Sequence, residues 1–212
     1  MRRGQSSTTV SSFSDPTDAA LVEQMARGDR EAFAALFRRH HATVFRFSRQ
    51  MLGSKEAAED VTQEVFIALA QTAGRYDASR GSLSTYLYGI ARNIVCQRHR
   101  RNRSRVEIDV DGIDLPISND PVDELSRTRL VQSLRQAILR LPVHYREAIV
   151  LCELNSLSYE EAAAIVGCPV GTIRSRLSRA REMLIDRCRV SMGLTKVTEV
   201  WKPCLTPTKN GC

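Results

Sequence analysis

Apolar residues along this chain recur at intervals of three and four, and no alternating stretch of useful length interrupts them, so the pattern predicts an all-helical fold. The first such run covers roughly Ala19 to Arg27 and stops at Gly28. Asp29 then stands as the N-cap of a long helix through EAFAALFRRHHATVFRFSRQML, which Gly53 ends. Ser54 opens KEAAEDVTQEVFIALAQTA, expected to run to Gly74. After the polar loop RYDASRGS a fourth helix starts near Ser82 to Ser84 and carries LSTYLYGIARNIVCQRHRRN. Together these predict one compact helical domain over residues 18–103.

The character of the chain then changes. Glu107 to Glu124 holds acids throughout, no basic residue, two prolines and a glycine, which reads as a flexible acidic linker, taken as 104–120. Either it balances the basic run QRHRRNRSR before it as a solvated loop, or it lies as an acidic strand in a channel built for nucleic acid. A second small helical domain, 121–189, holds LVQSLRQAILRL, then Pro142 at a helix start, then VHYREAIVLCELNS. Residues 1–17, rich in Ser and Thr, are expected to be a disordered leader, and the tail 190–212 has no helical period and no assigned role.

The second domain ends in SYEEAAAIVGCPVGTIRSRLSRARE. Ser158 followed at the third position by Glu161 is a capping-box pattern, and Ala162, Ile165 and Val166 fall on one face of the short helix it opens. Gly167 supplies a left-handed stop and Pro169 precedes the next helix, so the spacing is that of a helix-turn-helix. In its second helix Ile173 and Leu177 face inward, while Arg174, Ser175, Ser178 and Arg179 project outward. Thr172 and Gly171 lie where free backbone amides can meet a phosphate. An arginine-rich helix by itself is equally an ordinary solvated face; the capped helix, glycine turn and basic helix together point to DNA.

Charge supports that direction. The net charge is +7 and the isoelectric point is near 9.4, with almost all of the positive charge on arginine, which favours a polyanionic partner over an acidic small substrate. The cysteines Cys96, Cys152, Cys168, Cys188, Cys204 and Cys212 form no CxxC pair, so no structural disulfide and no metal site is expected. His40, His41, His99 and His144 have no evident nucleophile or metal partner set, no phosphate loop occurs, and an enzyme reading finds no constellation. No segment has the apolar length of a membrane span, so a cytoplasmic protein without membrane insertion is expected.

The first domain carries a basic face of its own. Thr85, Tyr86, Tyr88, Arg92 and Asn93 share a helix with Arg98, Arg100 and Arg101, a mixture suited to bases exposed in opening DNA. Leu87, Ile90 and Ile94 fit core positions, and Tyr86 fits either. Upstream, Asp60, Gln63 and Glu64 share an exposed helical side, which is either solvation or a protein-docking face.

AAEDVTQEVFIAL, RGSLSTYLYGIARN and SYEEAAAIVGCPVGTIRSRLSRARE, in that order around a short linker, resemble the extracytoplasmic-function sigma factors of bacterial RNA polymerase, a branch of the sigma-70 family, over residues 31–101 and 126–187. The resemblance implies a promoter-specificity subunit with no catalytic activity and no cofactor, serving as an alternative factor for a stress or envelope regulon. It implies that Asp60, Gln63, Glu64 and Phe66 dock on the clamp helices of the largest polymerase subunit. Tyr76, Asp77, Ser84, Tyr86, Arg92 and Asn93 would meet the non-template strand of the minus-ten element. Thr172, Arg174, Ser175, Arg176, Ser178 and Arg179 would meet the minus-thirty-five duplex, with the second domain resting on the flap of the second-largest subunit. The linker would thread toward the RNA exit path, and an anti-sigma factor is an expected partner. Tyr86 stands where many such proteins have tryptophan, and Ser178 where some have a bulkier side chain. The competing class is a free-standing regulator whose helix-turn-helix binds an operator; it has no need of an aromatic and arginine helix preceded by an acidic face.

Overall fold

The computed structural model describes residues 16–105 and 124–192, with side chains described over 16–101 and 131–187. Most of the expected leader, linker and tail, with Cys204 and Cys212, lie outside the described residues, as does the side chain of Cys188; of the leader, Thr17 caps the first helix, and of the linker, residues 104–105 end the fourth helix. Every element among the described residues is helical.

Helix α1 spans Asp18–Ala26, α2 Arg30–Leu52, α3 Lys55–Gln71 and α4 Leu83–Arg105, with single 3-10 turns at Ala73–Arg75 and Ala78–Arg80 between α3 and α4. The caps are those the sequence announced. Asp29 Oδ1 accepts from the amides of Glu31 at 2.8 Å and Ala32 at 3.3 Å, and Ser54 Oγ accepts from Ala57 N at 3.2 Å. Gly53 closes α2 at φ 78°, where a side chain would be strained and where a Cβ would stand 2.7 Å from Leu139 Cδ1. Helix α3 stops at Gln71, short of the expected Gly74, because Thr72 turns its hydroxyl back onto the Ala68 carbonyl at 2.7 Å and a 3-10 turn follows.

Packed together, α1 to α4 bury Leu36, Val44, Phe47 and Met51 of α2 against Val61, Val65, Phe66 and Leu69 of α3 and Leu83, Leu87, Ala91 and Val95 of α4. Each of the larger side chains among them contributes about 1.5–3 kcal/mol when fully withdrawn from water. In the second half α5 spans Glu124–Leu139, α6 Val143–Ala148, α7 Tyr159–Val166 and α8 Val170–Met192. Helix α6 continues through a π-helical segment, Ile149–Leu154, that carries the chain into Asn155. Helix α8 runs slightly past the expected end at residue 189 and gathers α5, α6 and α7 around it through Ile173, Leu177, Ala180 and Leu184.

The two halves also pack on each other, α4 against α7 and α2 against α5 and the π-helical segment. The linear pattern announced two domains and gave no sign of this contact. Its polar centre is Glu147, 2% exposed, whose Oε1 accepts from Arg92 Nε at 2.9 Å and from Cys96 Sγ at 3.2 Å. Asn155 bridges the halves a second time, donating to Gln50 Oε1 at 2.8 Å and accepting from the Tyr88 hydroxyl at 3.2 Å. Arg146, buried at 8% exposed, donates to the Met51 carbonyl at 2.6 Å, to Leu141 O at 3.0 Å and to Leu139 O.

Candidate nucleic-acid interface

The helix-turn-helix is built as its residues dictate. Ser158 Oγ accepts from Glu161 N at 3.1 Å while Glu161 Oε2 accepts from Ser158 N at 2.8 Å, so the capping box is closed in both directions. Gly167 adopts φ 72° and its amide reaches the Ala163 carbonyl at 2.8 Å, turning the chain into α8. Ile173 and Leu177 then lie in the core, which leaves Arg174, Ser175, Ser178 and Arg179 exposed and Thr172 and Arg176 half-buried on the flanks. The Arg174 guanidinium lies 5.8 Å from the ring centre of Tyr159, a cation–π contact that holds it beside the first helix of the pair. Arg181, on the same helix, is not free for DNA in this arrangement: it pairs with Glu153.

A second group lies at the turn between α3 and α4. Asp77 caps the short turn after it, accepting from Ser79 N at 2.9 Å and Ser79 Oγ at 2.7 Å, and these bonds hold its carboxyl below the usual carboxylate range. Tyr76 donates to the Gly81 carbonyl at 3.3 Å, and its phenol is pushed up by burial, then by the nearby Asp18 and Asp77. Its ring lies 5.6 Å from that of Tyr86, whose hydroxyl is 3.1 Å from Thr72 Oγ1. Ser84 is half-buried at the start of α4, and Asn93 is exposed a little over two turns further along. Tyr86 is half-buried, between the two positions its spacing allowed, while Tyr88 is 3% exposed and faces the second half.

Arg92 belongs to this group by sequence but is held elsewhere. Its guanidinium is 22% exposed and committed to Glu147, which is 3% exposed at its side chain. Beside it, Cys96 is pushed up to about 11, by burial first and then by the Glu147 carboxylate. Neither Glu147 nor Arg146 nor Asn155 was singled out from the sequence. Arg146 and Glu147 open a run to Leu151 that is buried throughout, and burial of these two charges follows from partners distant in the chain.

The expected docking face divides. Asp60, Gln63 and Glu64 are exposed on α3, with Arg98 of α4 bridging Asp60 at 3.6 Å and Glu64 as well. Phe66, expected on the same face, is 2% exposed and packs on Phe37 beneath the three exposed residues, ring centres 4.7 Å apart. A shallow depression between α2 and α3, lined by Phe37, His41, Phe45, Lys55, Glu59 and Gln63, extends the face and was not foreseen. Among the described residues no group of three His, Cys, Asp or Glu is placed to hold a metal, and no helix is long and apolar enough to cross a membrane.

Comparison with known proteins places both halves in one lineage. Residues 36–105 match the family described as sigma-70 region 2, and residues 131–184 the family described as sigma-70 region 4. The chain is 37% identical over 183 residues to the ECF RNA polymerase sigma-E factor of Escherichia coli, covering 81% of this chain and 94% of that one. It is 35% identical over 178 residues to ECF RNA polymerase sigma factor SigE of Mycolicibacterium smegmatis, covering 81% and 68%, and 33% identical over 178 residues to SigW of Bacillus subtilis, covering 79% and 95%. Among solved structures, the sigma factor RpoE of Bartonella quintana in complex with the anti-sigma factor NepR is similar at a TM-score of 0.61 and 26% identity, over 76% of this chain and 98% of that one. CnrH in complex with the cytosolic domain of CnrY shares the fold at a TM-score of 0.61 and 24% identity, over 82% and 99%.

Proposed function

This chain belongs to the extracytoplasmic-function sigma factors of the sigma-70 family, and from that premise we infer how its residues divide the work of directing RNA polymerase to a promoter. A sigma factor brings core polymerase to promoter DNA for transcription initiation and performs no catalysis itself. The observation that carries the division is the outward row Arg174, Ser175, Ser178 and Arg179 on a helix whose opposite side is core. Residues 121–189 are the minus-thirty-five module: α8 lies in the major groove, Arg174 and Arg179 reach base edges or phosphates, Thr172 and Ser175 hold the backbone near the helix start, and Arg176 and Ser178 complete the contact.

Residues 18–103 are the docking and minus-ten module. Asp60, Gln63 and Glu64 meet the clamp helices of the largest subunit, with Phe66 setting the surface from beneath. Tyr76, Asp77, Ser84, Tyr86 and Asn93 meet the non-template strand, and Arg92 joins them once it leaves Glu147. The second module rests on the flap of the second-largest subunit and the acidic linker follows the RNA exit path.

Distance supports a change of shape on binding. A packed chain of this size is about 40 Å across, whereas the minus-ten and minus-thirty-five elements lie roughly 85 Å of duplex apart at about 3.4 Å per step. The closed contact through Glu147 therefore belongs to the free chain, and polymerase separates the halves. The RpoE relative bound to NepR supports an anti-sigma factor as a further partner of the closed chain. Membership in this subfamily supports an alternative factor for a stress or envelope regulon, acting in the cytoplasm where polymerase works.

Runoff transcription with core polymerase on genomic fragments, with start sites mapped, tests this. Defined starts with the protein present and none with core polymerase alone are expected. Specific binding to duplex without polymerase, together with no effect on reconstituted transcription, would overturn it.

A further inference from the structure

His40 is 8% exposed on α2, and both of its ring nitrogens are engaged. Nε2 lies 2.8 Å from Asp18 Oδ2, and Nδ1 lies 3.4 Å from Ser84 Oγ. An ionised carboxylate can only accept, so Nε2 donates to Asp18; in the neutral ring Nδ1 then accepts from the Ser84 hydroxyl. At 3.4 Å the Ser84 contact is long for a hydrogen bond. Asp18 is itself held, its other oxygen accepting from Arg39 Nη1 at 3.0 Å while the same nitrogen donates to the Pro16 carbonyl at 2.7 Å. Asp18 begins α1, which is anchored by buried Leu21, Val22 and Met25 and packs on α2 and on the turn Ala73–Arg75.

Three elements far apart in the chain thus meet at one imidazole: the start of α1, the middle of α2 and the first turn of α4. The other bonds around the 76–85 turn are local. Tyr76 to Gly81, Asp77 to Ser79 and Ser82 to Thr85 each close a few residues, so they set the shape of the turn but not its direction against the helices. Buried Leu83 and the bond between Tyr86 and Thr72 seat the end of the turn on the first half, and the His40 contact, spanning 44 residues, adds a polar tie from Ser84 to the middle of α2.

We propose that Asp18 and His40 are positioning residues for minus-ten recognition, holding Ser84 and the turn before it in the orientation in which Tyr76 and Asp77 meet the non-template strand. Neither residue touches DNA. The benefit is preorganisation: a turn already aimed loses less freedom when the strand binds. The proposal rests on the minus-ten reading of that turn, and the test separates the two.

Holoenzyme assembled from core polymerase and the full chain is titrated with a fluorescent single-stranded oligonucleotide carrying the non-template minus-ten sequence of a promoter mapped by runoff transcription. His40→Gln keeps a donor near Asp18 and removes the group facing Ser84; His40→Asn does the reverse. Both are expected to bind the oligonucleotide about five- to tenfold more weakly, the scale of one lost orienting hydrogen bond. Affinity for core polymerase and for minus-thirty-five duplex stays at the wild-type level. Asp18→Ala reproduces the loss, and Asp18→Asn, which retains an acceptor, recovers most of it. Tyr76→Ala and Asp77→Ala run alongside: normal binding by both overturns the minus-ten reading of the turn. If those two weaken binding while the His40 and Asp18 variants bind as wild type, the positioning role alone is overturned. Equal losses of polymerase affinity and oligonucleotide binding would reveal a folding defect and overturn it as well.

Discussion

Replacing Arg92 by alanine removes the cation from a carboxylate that is 3% exposed, and the closed contact between the two halves then has to keep Glu147 charged and unpaired. Breaking a buried pair by deleting one partner costs about 3–5 kcal/mol, because the remaining charge has neither water nor a counterion. Glu147→Gln is gentler. It leaves Arg92, which is 22% exposed and can turn to water, and the amide still accepts from Cys96, so the cost is about 1–2 kcal/mol. At about 1.4 kcal/mol per tenfold, Arg92→Ala moves the closed-to-open ratio by about a hundredfold or more and Glu147→Gln by about tenfold. Cys96 reports the change. Its thiol is pushed up to about 11 in the closed chain against an ordinary 9.0, so separation of the halves raises its thiolate content about a hundredfold near neutral pH. Iodoacetamide labelling, followed peptide by peptide by mass spectrometry, is expected to be slow at Cys96 in the wild type, faster in Glu147→Gln and fastest in Arg92→Ala. A Cys96 rate in Arg92→Ala equal to that of the wild type would refute the reasoning. The pH dependence has a definite sign: a thiol with a higher pKa in the closed form stabilises that form fully below about 9, and the stabilisation is lost as pH rises toward about 11. Wild-type chain should therefore open progressively across that interval, as read by energy transfer between labels on the two halves.

Other substitutions separate the surfaces. Arg174→Ala should weaken minus-thirty-five duplex binding by about 1–3 kcal/mol if the guanidinium makes a bidentate base contact, and unchanged promoter preference in transcription assays would remove it from the base-reading set. Asp60→Ala combined with Gln63→Ala should lower polymerase affinity in a pull-down titration while circular dichroism and the melting temperature stay unchanged, since both side chains are exposed. Gly53→Ala forces a side chain into φ 78° and within 2.7 Å of Leu139 Cδ1, so it should cost about 1–3 kcal/mol in thermal unfolding; a neutral effect would show that Leu139 yields freely.

Local chemistry made much of this molecule readable. Asp29, Ser54 and Ser158 cap where their side chains can reach the third amide, and Gly28, Gly53 and Gly167 turn left-handed, because capping and turning depend on a few neighbouring residues. The outward row on α8 was legible for the same reason: inward Ile173 and Leu177 fix where every other side chain on that helix points. Phe66 was grouped with the exposed carboxylate two positions before it, although two helical steps turn it about 200° away from Glu64 and into the Phe33 and Phe37 cluster. Glu147, Arg146, Asn155 and the Asp18–His40–Ser84 chain were illegible because each joins segments tens of residues apart. Sequence periodicity records which face is buried, not which partner covers it.

Arg146 draws on both halves, yet two of its three carbonyl partners, Leu139 and Leu141, belong to its own half and only Met51 to the other. Burial alone lowers the pKa of this guanidinium, so a stranded Arg146 would be costly. It is not stranded when the halves part, since the turn between α5 and α6 still grips it. If the proposed opening occurs, the second half would part with its own clasp intact, as a finished unit that needs no refolding to close again.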